Sequence, residues 1–277
     1  MLLLLAAQVI LLGTGTPNAD PERSGPAVAV VSNGTPYIVD CGPGVVRRAA
    51  AAHIEPSTLS HGFITHLHSD HTVGLPDMIL TPWTLGRAVP LELYGPPGLQ
   101  SMADDLEAAY REDIQIRLHG GEPSNHTGYQ VNVHEIKEAG VVYRDGNVAV
   151  TAFRVSHGAW RDAFGYRFDT ADGRSIVISG DTGPTDAVAN ACHGCDVLIH
   201  EVYSTAGFAR RPLDWQRYHA RYHTSSRELA ATATKAHPGV LVLTHQLFWG
   251  TSEKDLLAEV TSLYAGKVVS GHDLDVF

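Results

Sequence analysis

Four metal-ligating side chains directly follow a short apolar run, and they constrain this chain more than any other feature of its sequence. Residues 62–65 are typical of a β-strand, and His66, His68, Asp70 and His71 come immediately after it. Side chains two apart in extended backbone face the same side, so His66 and His68 can point to one ion. Asp70 and His71 follow a turn of the chain and can reach a second ion. Imidazole nitrogens and a carboxylate oxygen suit zinc or a similar divalent ion, so the stretch predicts a metal site at a strand end.

The stretch resembles the His-x-His-x-Asp-His signature of the metallo-β-lactamase superfamily, which implies three further ligands downstream. The sequence supplies a candidate for each, again directly after an apolar run that is typical of a strand. These candidates are His157 after residues 148–155, Asp181 after residues 176–179, and His245 after residues 240–244. The resemblance therefore covers nearly the whole chain.

The resemblance also implies two metal ions and divides the ligands between them. By this resemblance the first ion is bound by His66, His68 and His157, and the second ion by Asp70, His71 and His245. Asp181 bridges the two ions together with a hydroxide ion. Two Zn²⁺ ions are expected, with Mn²⁺ or Fe²⁺ as alternatives.

Apolar runs typical of strands alternate with segments of helical periodicity in both halves of the 277 residues. This alternation predicts a layered α/β architecture, of the α+β class, in one domain that spans residues 1–277. The resemblance makes this specific: a four-layer αββα sandwich, with two mixed sheets face to face, helices outside and the metals at one edge. Asn33–Gly34 predicts a hairpin turn, and residues 118–130 predict a loop that is a candidate lid.

Three positions point to the ribonuclease Z-like branch of this superfamily. Asp181 stands where the β-lactamases of the superfamily typically carry a cysteine. The segments Leu-Ile-His-Glu, ending at Glu201, and His-Thr-Ser, beginning at His223, are similar to two segments of that branch. By this resemblance Glu201 orients His223, which protonates the leaving oxygen, while Asp70 and Asp181 hold the metals. Asp40, at the end of a predicted strand, is expected to orient a metal-binding histidine.

The sequence departs from ribonuclease Z in a way that argues against tRNA as a substrate. That enzyme grips tRNA with a long arm, often inserted between the third histidine motif and the bridging aspartate. Here a predicted strand pair fills the whole interval between His157 and Asp181. The net charge is −10 with histidines neutral, whereas nucleic-acid binding rests on lysine and arginine that neutralise phosphates. We therefore expect no nucleic-acid partner.

The combined prediction is a binuclear zinc-dependent hydrolase that cleaves a small anionic ester, either a phosphodiester or an aryl sulfate. The bridging hydroxide attacks, and His223 is the proton donor. The pattern looks most like arm-less relatives of the arylsulfatase and phosphodiesterase type. The main alternative is lactonase or β-lactamase-type hydrolysis of a carbonyl substrate. A tRNA 3′-processing endonuclease and a non-catalytic metal-binding protein rank lower. No membrane partner is expected, and a homodimer is left open.

Charged and aromatic residues near the motifs bear on the substrate. Four arginines crowd the segment before His223 and could steer an anion, or could form a solvated insert: Arg210, Arg211, Arg217 and Arg221. Six aromatic residues are candidates for an apolar wall, although each alone is more typical of a core: Trp83, Tyr110, Trp160, Trp215, Phe248 and Trp249.

The cysteines and the N-terminus leave alternatives open. Cys192 and Cys195, in Cys-His-Gly-Cys, are interpreted as two small residues near a helix end, with a disulfide, a redox pair or half a zinc knuckle as alternatives. Residues Met1–Ala7 are either the remnant of a secretion signal or the lead into the first strand. The first case implies a periplasmic or secreted protein, and the second a cytoplasmic one.

Overall fold

Two mixed β-sheets form the centre of the fold in the computed structural model, which describes residues 6–277. The first sheet lies in chain order and consists of β1 (Gln8–Gly13), β2 (Ala27–Ser32), β3 (Thr35–Val39), β4 (His61–Phe63), β5 (Leu91–Gly95) and β6 (Val131–Glu135). β1 to β3 pair antiparallel, and β3 to β6 pair parallel. Ser32 lies opposite Thr35, so the hairpin predicted around Asn33–Gly34 is confirmed.

The second sheet also keeps the order of the chain from one edge to the other. It consists of β7 (Gly140–Arg144), β8 (Val148–Arg154), β9 (Phe164–Thr170), β10 (Ser175–Ile178), β11 (Val197–Tyr203), β12 (Val240–Leu247) and β13 (Val268–Ser270). β7 to β10 pair antiparallel and β10 to β13 pair parallel. β10, which precedes Asp181, and β12, which contains His245, therefore run in the same direction on either side of β11. Parallel strands end at the same edge of a sheet, and the residues that follow β10 therefore lie near the end of β12.

Helices follow most of the strands. They are α1 (Val45–Ala51), α2 (Ser69–Thr72), α3 (Leu75–Thr84), α4 (Leu99–Ala109), α5 (Arg111–His119), α6 (Asp186–Cys192), α7 (Thr205–Phe208), α8 (Leu213–Tyr222), α9 (Ser226–Ala236) and α10 (Glu253–Thr261), with a 3-10 turn at Pro56–Thr58. Ser225 and Glu228 form a capping box at the start of α9, which holds the preceding residues extended. His223 is thereby fixed between α8 and α9.

Three apolar clusters separate four layers. One lies between the sheets and joins side chains such as Leu11 and Phe63 to Tyr166 and Phe168. A second joins the outer face of the first sheet to α1, α3 and α4, and a third joins the outer face of the second sheet to α6, α9 and α10. Because side chains alternate across a strand, each sheet supplies one face to the central cluster and the other to helices. The predicted αββα sandwich of two mixed sheets is confirmed.

The loop at residues 118–130 does not act as the predicted lid. The Trp83 indole N–H donates to the Asn125 carbonyl oxygen at 2.9 Å, and the buried Arg87 guanidinium donates to the Gly128 carbonyl oxygen at 2.7 Å. These bonds hold the loop against α3, and none of its residues lines the cavity at the metal-ligand candidates. Trp83 is itself buried there, away from that cavity.

The cysteine interpretation is wrong. Cys192 and Cys195 form a disulfide that closes the end of α6, so they are not two free residues, while Cys41 is buried and free as a thiol. Most of the segment Met1–Ala7 lies outside the described residues; within it, Ala7 is buried and its N–H donates to Asp172. None of the helices within residues 6–277 has the length and apolar character that a bilayer crossing requires.

Candidate metal centre

The seven predicted ligands come together at one edge of the two sheets. His66, His68, Asp70 and His71 follow β4 and enter α2, while the remaining three follow β8, follow β10 or lie within β12: His157, Asp181 and His245. Because each ligand sits where a strand ends or bends, the backbone hydrogen bonds of the sheets fix its position. The sequence-predicted ligand set is thus spatially contiguous.

Three imidazoles form what we call the first cluster: His66, His68 and His157. The Nδ1 atom of His68 lies 2.9 Å from Nε2 of His66 and 3.1 Å from Nε2 of His157. Burial lowers the pKa of all three rings, and that of His157 falls to about 4. The rings are therefore neutral near pH 7 and present lone pairs.

The second cluster consists of Asp70, His71 and His245. Oδ2 of Asp70 lies 3.2 Å from Nε2 of His245 and 3.5 Å from Nε2 of His71. Burial opposes protonation of both rings, but nearby Asp181, together with Asp40 for His71 and Asp70 for His245, outweighs it and raises their pKa values. A cation is therefore favoured at this cluster, in the form of protons or of a metal ion.

Asp181 lies between the two clusters. Its Oδ2 atom is 3.5 Å from Nε2 of both His71 and His245, and 4.0 Å from Nε2 of His66. Burial alone raises a carboxyl pKa, yet the histidines around Asp181 reverse this and hold its pKa well below the usual range. One carboxylate thus faces both sets of ligand atoms.

The donor set fits two divalent cations. Within each cluster the ligand atoms lie within 4.8 Å of one another, and the buried Nε2 atom of His71 has no hydrogen-bond partner among residues 6–277. In the first cluster three imidazole nitrogens converge. A single proton, contributed by one neutral ring, cannot provide a hydrogen bond for all three nitrogens. The His/Asp clusters are therefore suited to a binuclear metal site.

A second layer of hydrogen bonds orients the rings from behind. Asp40 accepts from Nδ1 of His71 at 2.7 Å, as expected for the acid at that position, and it also accepts from the Thr65 hydroxyl at 2.9 Å. Nδ1 of His157 donates to the Tyr222 carbonyl oxygen at 2.7 Å. These contacts leave each Nε2 atom free to face the centre.

Two of these residues adopt a backbone conformation that is rare for side chains other than glycine. Asp40 has a φ of 62° and His245 a φ of 45°. Left-handed backbone at a bulky residue such as histidine persists only where the surroundings impose it, and such residues cluster at functional sites. The β11–β12 register shifts beside His245, which re-aims this side chain toward Asp70.

Trp160 makes a contact to the first cluster that carries a consequence for metal binding. Its indole N–H donates to Nε2 of His68 at 2.7 Å. An indole nitrogen only donates, so the neutral His68 ring carries its proton on Nδ1 in this arrangement. Ligation through Nδ1 requires that proton to leave and the Trp160 contact to be remade.

Glu201 and His223 form a buried pair beside the second cluster. The Thr224 N–H donates to Oε1 of Glu201 at 2.7 Å, which turns Oε2 toward Nδ1 of His223 at 3.3 Å. Burial raises the pKa of Glu201 well above its usual value and lowers that of His223 to about 4. Nδ1 of His223 thus lies near two carboxyl groups, 3.3 Å from Oε2 of Glu201 and 4.0 Å from Oδ2 of Asp181, and neither Nδ1 nor Oε2 forms a hydrogen bond among residues 6–277.

A cavity of about 340 Å³ opens over these groups. Its floor includes His68, Asp70, Asp181, His223 and His245. Its lining also includes Arg211, Trp215, His219 and Trp249, which we call the aromatic wall.

Only some of the predicted substrate-facing residues reach the cavity. Of the four arginines only Arg211 lines it, and of the six aromatic residues only Trp215 and Trp249 do. Sequence reasoning missed His219, although it precedes His223 by one helical turn of α8, a spacing that puts two side chains on one face. It also missed Thr65 and Tyr222. No sequence signal marks Tyr222, because this residue acts through its backbone carbonyl oxygen.

Comparison with known proteins identifies the family. Residues 35–246 match the model of the β-lactamase superfamily domain. A curated relative from Mycobacterium bovis (strain BCG / Pasteur 1173P2), named ribonuclease Z, is 34% identical over 273 residues, which is 96% of each chain. Among solved structures, the metallo-β-lactamase fold protein YhfI from Bacillus subtilis has a TM-score of 0.75 at 18% identity, and human tRNase Z, short form, has 0.73 at 24%. Each covers 98% of both chains.

These relatives contradict two expectations. The ranking of a small anionic ester above tRNA processing is wrong, and so is the expected absence of a nucleic-acid partner, because the curated relatives are ribonuclease Z. The arm argument failed because a ribonuclease Z that aligns over 96% of its own length has no room for a long insertion that this chain lacks. The charge argument failed because a net charge averages over the chain, whereas Arg211 is placed locally.

The fold, the paired His/Asp clusters and these relatives agree. The chain belongs to the metallo-β-lactamase superfamily, as a metal-binding hydrolase homologous to ribonuclease Z.

Proposed function

We propose that this protein is an endoribonuclease of the ribonuclease Z type that hydrolyses a phosphodiester bond on the 3′ side of tRNA precursors. The observation that carries the proposal is the full-length relationship to ribonuclease Z at 34% identity. The buried pair Glu201–His223, which lies next to Asp181, supports it because the leaving group in RNA is a poor one that needs a proton.

Seven residues would hold the two ions of this enzyme. His66, His68 and His157 would bind one ion, Asp70, His71 and His245 the other, and Asp181 would bind both. Zinc suits a set of five imidazoles and two carboxylates, and Mn²⁺ or Fe²⁺ are alternatives that metal analysis separates. When bound, two divalent ions supply Lewis acidity toward the phosphodiester and lower the pKa of the attacking water.

The chain's own residues handle orientation and the proton. Asp40 and the Tyr222 carbonyl hold the rings of His71 and His157 in place, so the site is organised before substrate arrives. His223 gives a proton to the leaving ribose oxygen, and Glu201 replaces it at Nδ1 across 3.3 Å. Burial raises the pKa of Glu201 and lowers that of His223, so the Glu201 carboxyl holds a proton more readily than an exposed glutamate does.

The test is incubation of metal-analysed protein with a tRNA precursor that carries a short 3′ trailer, with the new ends mapped. We expect close to two divalent ions per chain and one endonucleolytic cut that releases the trailer. The variant Asp181→Ala, which lacks the proposed bridging ligand, serves as the inactive control. A fully metal-loaded protein that leaves several different precursors intact would falsify the proposal.

A further inference from the structure

The aromatic wall has a composition that the proposed chemistry of bond cleavage does not require. Trp215, on α8, is 49% exposed, and its ring lies stacked on that of the buried His219 with centroids 5.5 Å apart. A half-exposed indole beside a cavity offers a ligand a large apolar face whose removal from water is favourable. The side chain therefore has capacity for a flat partner.

Arg211 joins this indole to a second one. Its guanidinium carbon lies 5.3 Å from the Trp215 ring centroid and 5.6 Å from that of Trp249, so both rings contact one cation. Its Nε atom is buried and has no hydrogen-bond partner among residues 6–277. Stacked on aromatic faces, the guanidinium fork keeps donors for an oxyanion.

Trp249 is held in place by its backbone. It has a φ of 46°, and its carbonyl oxygen accepts from the Arg210 guanidinium at 3.2 Å. Its ring packs on His219 with centroids 4.4 Å apart and on Tyr203 at 5.4 Å. These contacts hold in place one of the two rings that contact the Arg211 guanidinium.

A ligand that covers the Trp215 ring and also pairs with the Arg211 guanidinium has a flat π-face and a phosphate in adjacent positions. An apolar ligand alone would leave the Arg211 donors unpaired, and a simple anion would leave the Trp215 face in water. A nucleotide of single-stranded RNA supplies both groups, because its base face is not covered by duplex neighbours. The cavity that the wall shares with Asp181 and His223 puts such a nucleotide beside the cleaved bond.

We propose that Arg211, Trp215 and Trp249 form a nucleotide subsite, in which the base stacks on Trp215 and the phosphate next to the cleaved bond pairs with Arg211. The subsite deepens the proposed ribonuclease function and rests on it for its role in catalysis. It makes the enzyme sensitive to the presence of a base next to the cleaved bond, whatever the identity of that base.

Binding is measured first, by fluorescence anisotropy with labelled hexa-adenylate and a labelled abasic hexanucleotide of equal charge, on metal-loaded protein. Base stacking on an aromatic side chain is worth about 5-fold to 100-fold in affinity. We expect the wild type to prefer hexa-adenylate by that factor, Trp215→Ala to lose the preference and Trp215→Phe to keep part of it. Tyr110→Ala, which removes an aromatic side chain that is 42% exposed and outside the cavity, is the matched control and should keep the preference.

Cleavage of a tRNA precursor, with an intact or an abasic nucleotide beside the cleaved bond, separates the two proposals. A base preference in binding that depends on Trp215, without precursor cleavage by the wild type, supports the subsite and overturns the ribonuclease function. Cleavage by the wild type, with equal affinity for both oligonucleotides or with the preference retained in Trp215→Ala, overturns the subsite and leaves the ribonuclease function standing.

Discussion

The floor and the aromatic wall of the same cavity are built in opposite ways. Behind the floor, in the two clusters that floor residues belong to, the rings of His71 and His157 are buried, and each has its second nitrogen bound to a fixed oxygen, of Asp40 or of the Tyr222 backbone. On the wall, Trp215 is half exposed. Groups that must hold ions in place gain from such rigid support, whereas groups that meet a substrate must keep free surface and free donors.

The comparison predicts that changes on the floor alter metal content or the chemical step, while changes on the wall alter RNA binding alone. The largest effect is expected for Asp181→Ala. Its carboxylate faces both clusters, so we expect loss of at least one ion and a fall in RNA cleavage of about 10³-fold or more. Elemental analysis and cleavage rates measure both. Asp186→Ala, which removes an exposed carboxylate paired with Lys235, is the control and should change neither. Two retained ions with unchanged cleavage would exclude the bridging role.

The next largest effect is expected for His223→Ala. As a proton donor it should matter most where the leaving oxygen is a poor leaving group, so RNA cleavage should fall about 10²- to 10⁴-fold. The aryloxide of an activated aryl phosphodiester leaves with little protonation. The variant should therefore cleave this probe substrate with only mild impairment. Both ions should stay bound. An equal loss on the two substrates, or release of metal, would move His223 to a positioning or structural role.

A smaller effect is expected for Asp40, which acts through His71. Asp40→Ala removes the acceptor for Nδ1 and should weaken metal binding about 10- to 100-fold, as chelator competition measures. Asp40→Asn is the matched variant, because asparagine keeps an acceptor and tolerates the φ of 62° at this position. It should therefore retain most of the affinity. Equal losses in both variants would show that the charge of Asp40, and not ring orientation, is what counts.

The smallest effect is expected on the wall, for Arg211→Ala. Loss of one phosphate contact should weaken RNA binding by a similar factor across sequences and reduce the slope of log affinity against log salt by about one. The metal content should stay the same. Arg217→Ala, which removes an exposed arginine already paired with Asp214, is the control and should change the slope less. Release of metal from Arg211→Ala would break the separation between floor and wall.

The sequence by itself predicted a layered α/β architecture and indicated His66, His68, Asp70 and His71 as candidate metal ligands. Strand-like runs end just before His66 and Asp181, and ligand type together with strand position is a local property that a single chain displays. The two mixed sheets packed face to face and the three downstream ligands followed from the resemblance; the sheets are confirmed, and the contiguous clusters agree with the expected ligand set. The substrate did not follow, because a ribonuclease Z relative that aligns over 96% of its length has no room for the arm either, and because net charge averages over the whole chain.

The tertiary structure alone decided the supporting contacts. The Tyr222 carbonyl that orients His157 carries no sequence signature, since any residue has the same backbone oxygen. The left-handed backbone at Asp40 and His245 is imposed by packing against intrinsic preference, and the pairing of Arg211 with two indoles joins α8 to the end of β12 across a long stretch of chain. Such contacts depend on which elements meet in space, and local residue patterns do not encode that.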